Sequence, residues 1–147
     1  MTDARTLRSA RFAELTPAEL YGLLRLRVDV FVVEQACPYP ELDGRDVEPG
    51  TVHLWFADDS GEVLSTVRVL ENGADRVIGR VATAASARGR GLSAELVRRG
   101  IELCEGRTVD IGAQAYLEQW YERFGFHRSG PDYVEDGIPH LPMRLVP

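Results

Sequence analysis

A chain of 147 residues, 44% hydrophobic and 27% charged, can bury one substantial core and fits a single domain over residues 1–147. Its net charge of −6 argues against a nucleic-acid partner, whose footprint is basic and clustered, and no apolar run approaches the ~18 residues of a membrane span. All 17 basic residues are arginines, which removes Schiff-base and P-loop lysine chemistry.

The start, Met1-Thr2-Asp3-Ala4-Arg5, lacks the apolar segment of a signal peptide, so a cytoplasmic location is expected. Thr16-Pro17-Ala18-Glu19 is a capping box with proline at the first helical position. Leu20, Leu23, Leu24, Arg27 and Phe31 follow at helical spacing, predicting a helix over 17–28 or slightly beyond. Residues 36–50, with Pro38, Pro40, Gly44 and Pro49, predict a long loop, and loops of that length are often functional. Strands are expected over 52–57 and 62–70, joined by the hairpin signal Asp58-Asp59-Ser60-Gly61, and a third over 76–83. From Leu92, the apolar positions Leu96, Val97, Ile101 and Cys104 predict a helix ending at Gly106. A short strand over 109–113, a short helix over 116–124 stopped by Gly125, and closing strands over 126–134 and 141–146 complete the pattern. The order predicts an α/β (α+β) fold around a central sheet. Cys37 and Cys104 with His53, His127 and His140 offer no ligand spacing for a metal, and none is expected.

The segment Arg88-Gly89-Arg90-Gly91-Leu92-Ser93 lies between a predicted strand and a predicted helix. Glycines there let the backbone approach a ligand closely, and the free N–H groups of the first helical turn attract phosphate oxygens. The two arginines add charge-assisted donors. Taken alone, the segment is either a phosphate-binding turn or a plain tight turn.

Two constellations together resemble the GNAT family of N-acetyltransferases. Arg88-x-x-Gly91-x-Ser93 follows the family's R/Q-x-x-G-x-G/A, with serine at the third anchor. Gln114, Tyr121 and Gly125-Phe126 fall at the spacing of its later signature, with glutamine in place of asparagine. Leu26-Arg27, Phe31, Glu34-Gln35, Cys37-Pro38-Tyr39, Asp43-Gly44, Ile78-Gly79-Arg80-Val81 and Glu135 to His140 look most like the ElaA-like branch.

The resemblance implies a mixed central sheet splayed between two adjacent strands, with helices on both faces and acetyl-CoA in the opening. It implies that Val81, Ala82 and Thr83 flank the pantetheine arm, an N–H near Val81 polarising the thioester carbonyl. Arg88, Gly89, Arg90, Gly91, Leu92 and Ser93 would hold the pyrophosphate, and Gln114 would bind the cofactor with its amide in place of the family's asparagine. Direct attack by an amine, from a small molecule or a peptide, would need no covalent enzyme intermediate. Tyr121 is the candidate general acid, or else a core tyrosine. Glu34, His53, Asp136 and His140 are candidates to take the amine proton: Glu34 is either a base whose pKa burial raises or a carboxylate fixing the neighbouring backbone, and His140 either lines the acceptor cleft or is a structural imidazole. Phe31, Tyr39, His53, Asp136 and the loop over 37–46 are expected to shape the acceptor pocket. Arg27 and Arg68 read as internal salt-bridge residues. The assembly is expected to be a monomer or homodimer. Two other readings remain: an acyl-homoserine-lactone synthase, echoed by Arg27-x-x-x-Phe31 and Asp43-x-x-Asp46, and a non-catalytic acetyl-CoA-binding module.

Overall fold

The capping box forms as expected in the computed structural model, which describes residues 5–147. The Thr16 hydroxyl accepts from the Glu19 N–H at 3.1 Å, and the Glu19 carboxylate accepts from the Thr16 N–H at 2.9 Å. This starts helix α1 (Pro17–Val28), which continues as one π-helical turn, Asp29–Glu34. That wider turn ends at Ala36, whose φ of +50° takes the chain out of the helix.

Among the described residues, eight strands form one sheet: β1 (Arg5–Arg11), β2 (Val52–Asp58), β3 (Val63–Asn72), β4 (Asp75–Thr83), β5 (Val109–Gln114), β6 (His127–Arg128), β7 (Tyr133–Glu135) and β8 (Ile138–Leu145). Their order across the sheet is β1-β2-β3-β4-β5-β8-β6, with β7 also on β8. β1 was not expected from the sequence. Only Leu7 and Ala10 are apolar in it, and it is held by its ladder to β2 rather than by a buried face. The closing strand expected over 126–134 is two short strands, because Gly130-Pro131 interrupts it. β7 then turns into β8 at Asp136-Gly137, whose φ values of +51° and +78° suit a tight hairpin.

Burial on both faces of the central strands explains their nearly continuous apolar runs. On β2, Leu54 and Phe56 pack with Leu92, Leu96 and Val97 of helix α2 (Leu92–Leu103). Trp55 and Ala57 point the other way and pack with Leu23 and Leu26 of α1. Each such leucine, fully withdrawn from water, stabilises the fold by about 1.5–3 kcal/mol. The two helices therefore clamp the sheet from opposite faces. A short helix, α3 (Glu118–Glu122), adds Tyr121 to the α2 side.

β4 and β5 run parallel but pair only at Arg76–Val109 and Val77–Asp110. Beyond those residues β5 gives all its pairing to β8, from Val109–Leu145 to Gln114–His140. The sheet is thus open between the C-terminal halves of β4 and β5.

A candidate acyl-transfer cleft between two splayed strands

A cleft of about 1070 Å³ occupies that opening. Every site residue expected from the sequence lines it except Arg90 and His53. Backbone geometry defines its β4 wall. The Arg76 N–H bonds the Thr108 carbonyl, toward β5, whereas the Ala84 N–H bonds the Leu64 carbonyl, toward β3. Between them the register with β3 slips by one residue, so that Arg80 and Val81 together oppose Val67. Strand alternation then turns the N–H groups of Val81 and Thr83 to the cleft and that of Ala82 to β3.

At one end of the cleft the chain leaves β4 through the Arg88–Ser93 segment. Gly89 and Gly91 have φ of +78° and +74°, a region glycine enters without strain. Gly91 caps α2 without any side-chain hydrogen bond, and the first N–H bonded back to it belongs to Glu95, at 3.2 Å. The amides of Leu92, Ser93 and Ala94 are consequently left to an external acceptor. Beyond the adjoining chain, nothing lies within 4 Å of the space a side chain would take at either glycine, which leaves room for a ligand. Ser93, the departure from the family pattern, ties its hydroxyl to Thr83, which also meets Ser65 at 2.8 Å. This links the end of β4 to the start of α2. Arg90 turns back to the Ser86 carbonyl at 3.2 Å.

On the β5 wall, Tyr121 is 7% exposed and meets Trp120 and Phe126 edge-on, at 4.9 and 6.1 Å. Burial pushes its phenol pKa well up, so it carries its proton at neutral pH. Opposite Gln114 on β8, His140 stacks on Tyr133 at 5.6 Å, with 2.7 Å from its Nδ1 to the Ile138 carbonyl oxygen. A carbonyl only accepts, so Nδ1 bears the hydrogen, and Nε2 is the nitrogen that this contact leaves free.

Beneath the other end lies a buried ionic network. Arg27, 1% exposed, donates to Glu41 at 2.7 Å and to Asp46 at 2.6 Å. Arg68 grips Asp43 and reaches Asp46 at 3.0 Å, and Arg80 donates to Glu41 at 2.8 Å. The Tyr39 hydroxyl donates to the second Glu41 oxygen, and burial raises its pKa. Against the pull of burial, hydrogen bonds from Arg68 and the Arg45 N–H hold the Asp43 carboxyl well below the usual range. Arg27 and Arg68 are thus internal salt-bridge residues. Glu41 and Arg80 carried no expected role. Glu41 is covered in sequence only by the 37–46 loop as a whole, since its partners Arg27 and Arg80 lie 14 and 39 positions away.

Two expectations are corrected. His53 is 1% exposed, and its Nε2 donates to the Asp46 carbonyl at 3.0 Å, on the inner side of the network. It does not line the cleft and cannot meet an acceptor there. Glu34 lines the cleft, but its pKa is lowered rather than raised. Its Oε1 accepts from Arg88 at 2.6 Å, and that hydrogen bond outweighs its slight burial. Asp136 contributes its carbonyl to the Cys37 thiol at 3.2 Å and forms the β7–β8 turn.

Comparison with known proteins agrees with this geometry. The Acetyltransferase (GNAT) domain family matches residues 24–147. A UPF0039 protein of Mycobacterium tuberculosis is 47% identical, covering 97% of this chain and 93% of that one. Protein ElaA of Escherichia coli is 39% identical over 89% of this chain and 90% of its own, and its crystal structure aligns with a TM-score of 0.90. The crystal structure of an acyl-CoA N-acyltransferase from Pseudomonas aeruginosa aligns with a TM-score of 0.92 at 41% identity, covering 97% of this chain and 100% of that one. With the opened sheet and the glycine turn at its mouth, these likenesses place the chain in the GNAT acetyltransferase family, in its ElaA-like branch.

Proposed function

We propose that the chain is an acetyl-CoA-dependent N-acetyltransferase of the cytoplasm, transferring an acetyl group directly to an amine held with the donor in the cleft. The observation that carries this reading is the opening between β4 and β5, with an uncapped helix N-terminus at its mouth. Donor features fit the residues present. Free amides at Leu92, Ser93 and Ala94 suit a pyrophosphate, and the unpaired edge of β4 suits an amide-bearing arm. When bound, acetyl-CoA supplies an activated acyl carbon and a thiolate leaving group.

The protein's own groups then divide the work. The Val81 N–H stabilises negative charge growing on the acyl oxygen, an effect worth about 10²–10³ in kcat for one such donor. Tyr121 gives its phenolic proton to the departing sulfur. His140 takes the amine proton at Nε2, the nitrogen left free by the Ile138 contact. Glu34 is the weaker choice for that step because Arg88 already holds its carboxylate. Phe31 and Tyr39 flank the amine, which belongs to a small molecule or a peptide.

Calorimetry with acetyl-CoA tests the donor, and an absence of binding overturns the reading. Thiol release across an amine panel tests transfer. Tyr121→Phe should lower kcat by about 10²-fold with the acetyl-CoA Kd unchanged. A silent substitution removes the acid assignment.

A further inference from the structure

We infer that Arg80 and Glu41 form a positioning clamp on the β4 bulge, fixing the direction of the Val81 N–H; the inference rests on the acetyl-transfer reading above. The bulge decides which amides face the donor. Before it, the amides turned toward β5 follow the parity of Arg76; after it, they follow that of Val81 and Thr83. Without the extra residue, the Val81 N–H would be spent on the ladder to β3.

Such a kink has to be held. Arg80 has a φ of +52°, in the left-handed region that non-glycine residues enter only at a cost. Its guanidinium supplies the restraint with two grips on one residue. Nε donates to Glu41 Oε2 at 2.8 Å, and Nη2 donates to the Glu41 carbonyl at 3.2 Å. The same Nη2 lies 3.4 Å from Asp43 Oδ2, and the guanidinium sits 5.8 Å from the Tyr39 ring centre.

Glu41 is itself buried and doubly held. It is 3% exposed, and Arg27 of α1 and the Tyr39 hydroxyl hold its carboxylate. The bulge is therefore tied through a buried carboxylate to the helix on the α1 face. Arg27 and Tyr39 already satisfy Glu41, so retaining the fold does not require Arg80, whose side chain is partly exposed. What Arg80 adds is the fixed position of the kink, and a forked donor holds it more firmly than a lysine's point charge.

The test compares Arg80→Gly, which accepts the positive φ but has no grip, with Arg80→Lys, which keeps the charge but not the fork. In Arg80→Gly, kcat should fall about 10- to 100-fold, because an oxyanion donor moved by an ångström loses most of its effect. The acetyl-CoA Kd should stay within about threefold, since the glycine turn is untouched. Arg80→Lys should lie between wild type and Arg80→Gly. With acetyl-CoA carrying carbon-13 at the carbonyl, the infrared stretch should shift to lower frequency on binding wild type and return toward the free value in Arg80→Gly.

Unchanged kcat and an unchanged shift in both variants would overturn the clamp. So would losses of kcat and affinity in equal measure, which would mark a structural role. Wild type that binds acetyl-CoA without a carbonyl shift would overturn the clamp and leave the donor reading standing. Wild type that binds no acetyl-CoA would overturn both. If Arg80→Gly does not fold, the Arg80→Lys shift and kcat decide alone.

Discussion

The two ends of the cleft solve opposite problems with opposite means. The donor end is built from one contiguous stretch, Thr83 to Ser93, and offers backbone amides whose arginines lie near the surface. The floor at the other end gathers Arg27, Glu41, Asp43, Asp46, Arg68 and Arg80 from α1, the long loop, β3 and β4, and removes most of them from water. Backbone donors need no charge to be buried. A network of buried ions carries a desolvation cost and is rigid only while every partner is present. Damage should therefore fall on stability where the floor is buried, at Arg27, Glu41, Asp46 and Arg68, and on ligand affinity at the mouth.

The largest effect should come from Arg27→Ala. It leaves the Glu41 and Asp46 carboxylates short of their main partner, and breaking a buried pair in this way costs about 3–5 kcal/mol. Urea denaturation measures it. A loss below about 1 kcal/mol would mean that water reaches the floor and that it behaves as a surface network.

At the donor end the matching change is Gly91→Ala. Its φ of +74° should make alanine about 1–2 kcal/mol less stable. Acetyl-CoA affinity should fall about tenfold as the turn relaxes away from the phosphates. If thermal melts move and the calorimetric Kd does not, the pyrophosphate lies elsewhere.

The same contrast decided what could be read from the chain. The donor turn was legible because strand, glycines and helix are consecutive, and the splayed sheet followed from the family pattern that turn begins. The floor was hidden because no local rule links Glu41 to Arg80. His53 sits between Val52 and Leu54, so its strand was readable, but the lid of Asp46 over it was not. Phe31-Val32-Val33 suggested burial for Glu34. The π-helical turn instead leaves Val33 67% exposed and delivers Glu34 to Arg88.

His53 gives the floor a pH signature below pH 6.5, whereas the lowered Glu34 carboxyl of the mouth acts only below its usual 4.5. Burial pushes the His53 pKa below 6.5, against the pull of the Asp46 carbonyl and carboxylate, with Arg27 and Arg68 pushing the same way as burial. The unfolded chain takes up a proton near pH 6.5 that the folded one refuses, so the stability is complete above that pH and is lost as pH falls toward the folded pKa. The slope for one group is at most about 1.4 kcal/mol per pH unit. Asp46, lowered from 3.8 by Arg27 and Arg68 against its burial, adds a second loss only below about pH 4. His53→Gln can still donate to the Asp46 carbonyl and should flatten the urea-measured slope between pH 7.5 and 5.5. A slope that persists in the variant would assign it to other groups.

The smallest effect is expected where the mouth does contain an ion pair, Glu34–Arg88. Both side chains are nearly half exposed, and such pairs contribute at most about 1 kcal/mol. Glu34→Gln should therefore leave the urea midpoint almost unmoved. Its consequence is for the ligand: an anion is removed beside the pyrophosphate turn, and the Arg88 guanidinium loses its strongest competitor for phosphate. Acetyl-CoA should bind equally well or about two- to threefold tighter, with less salt dependence in the difference than a direct phosphate contact would give. Weaker binding in Glu34→Gln would show that the pair holds Arg88 in its working position. The mouth would then depend on side-chain charge as the floor does, and the contrast between the two ends would fail.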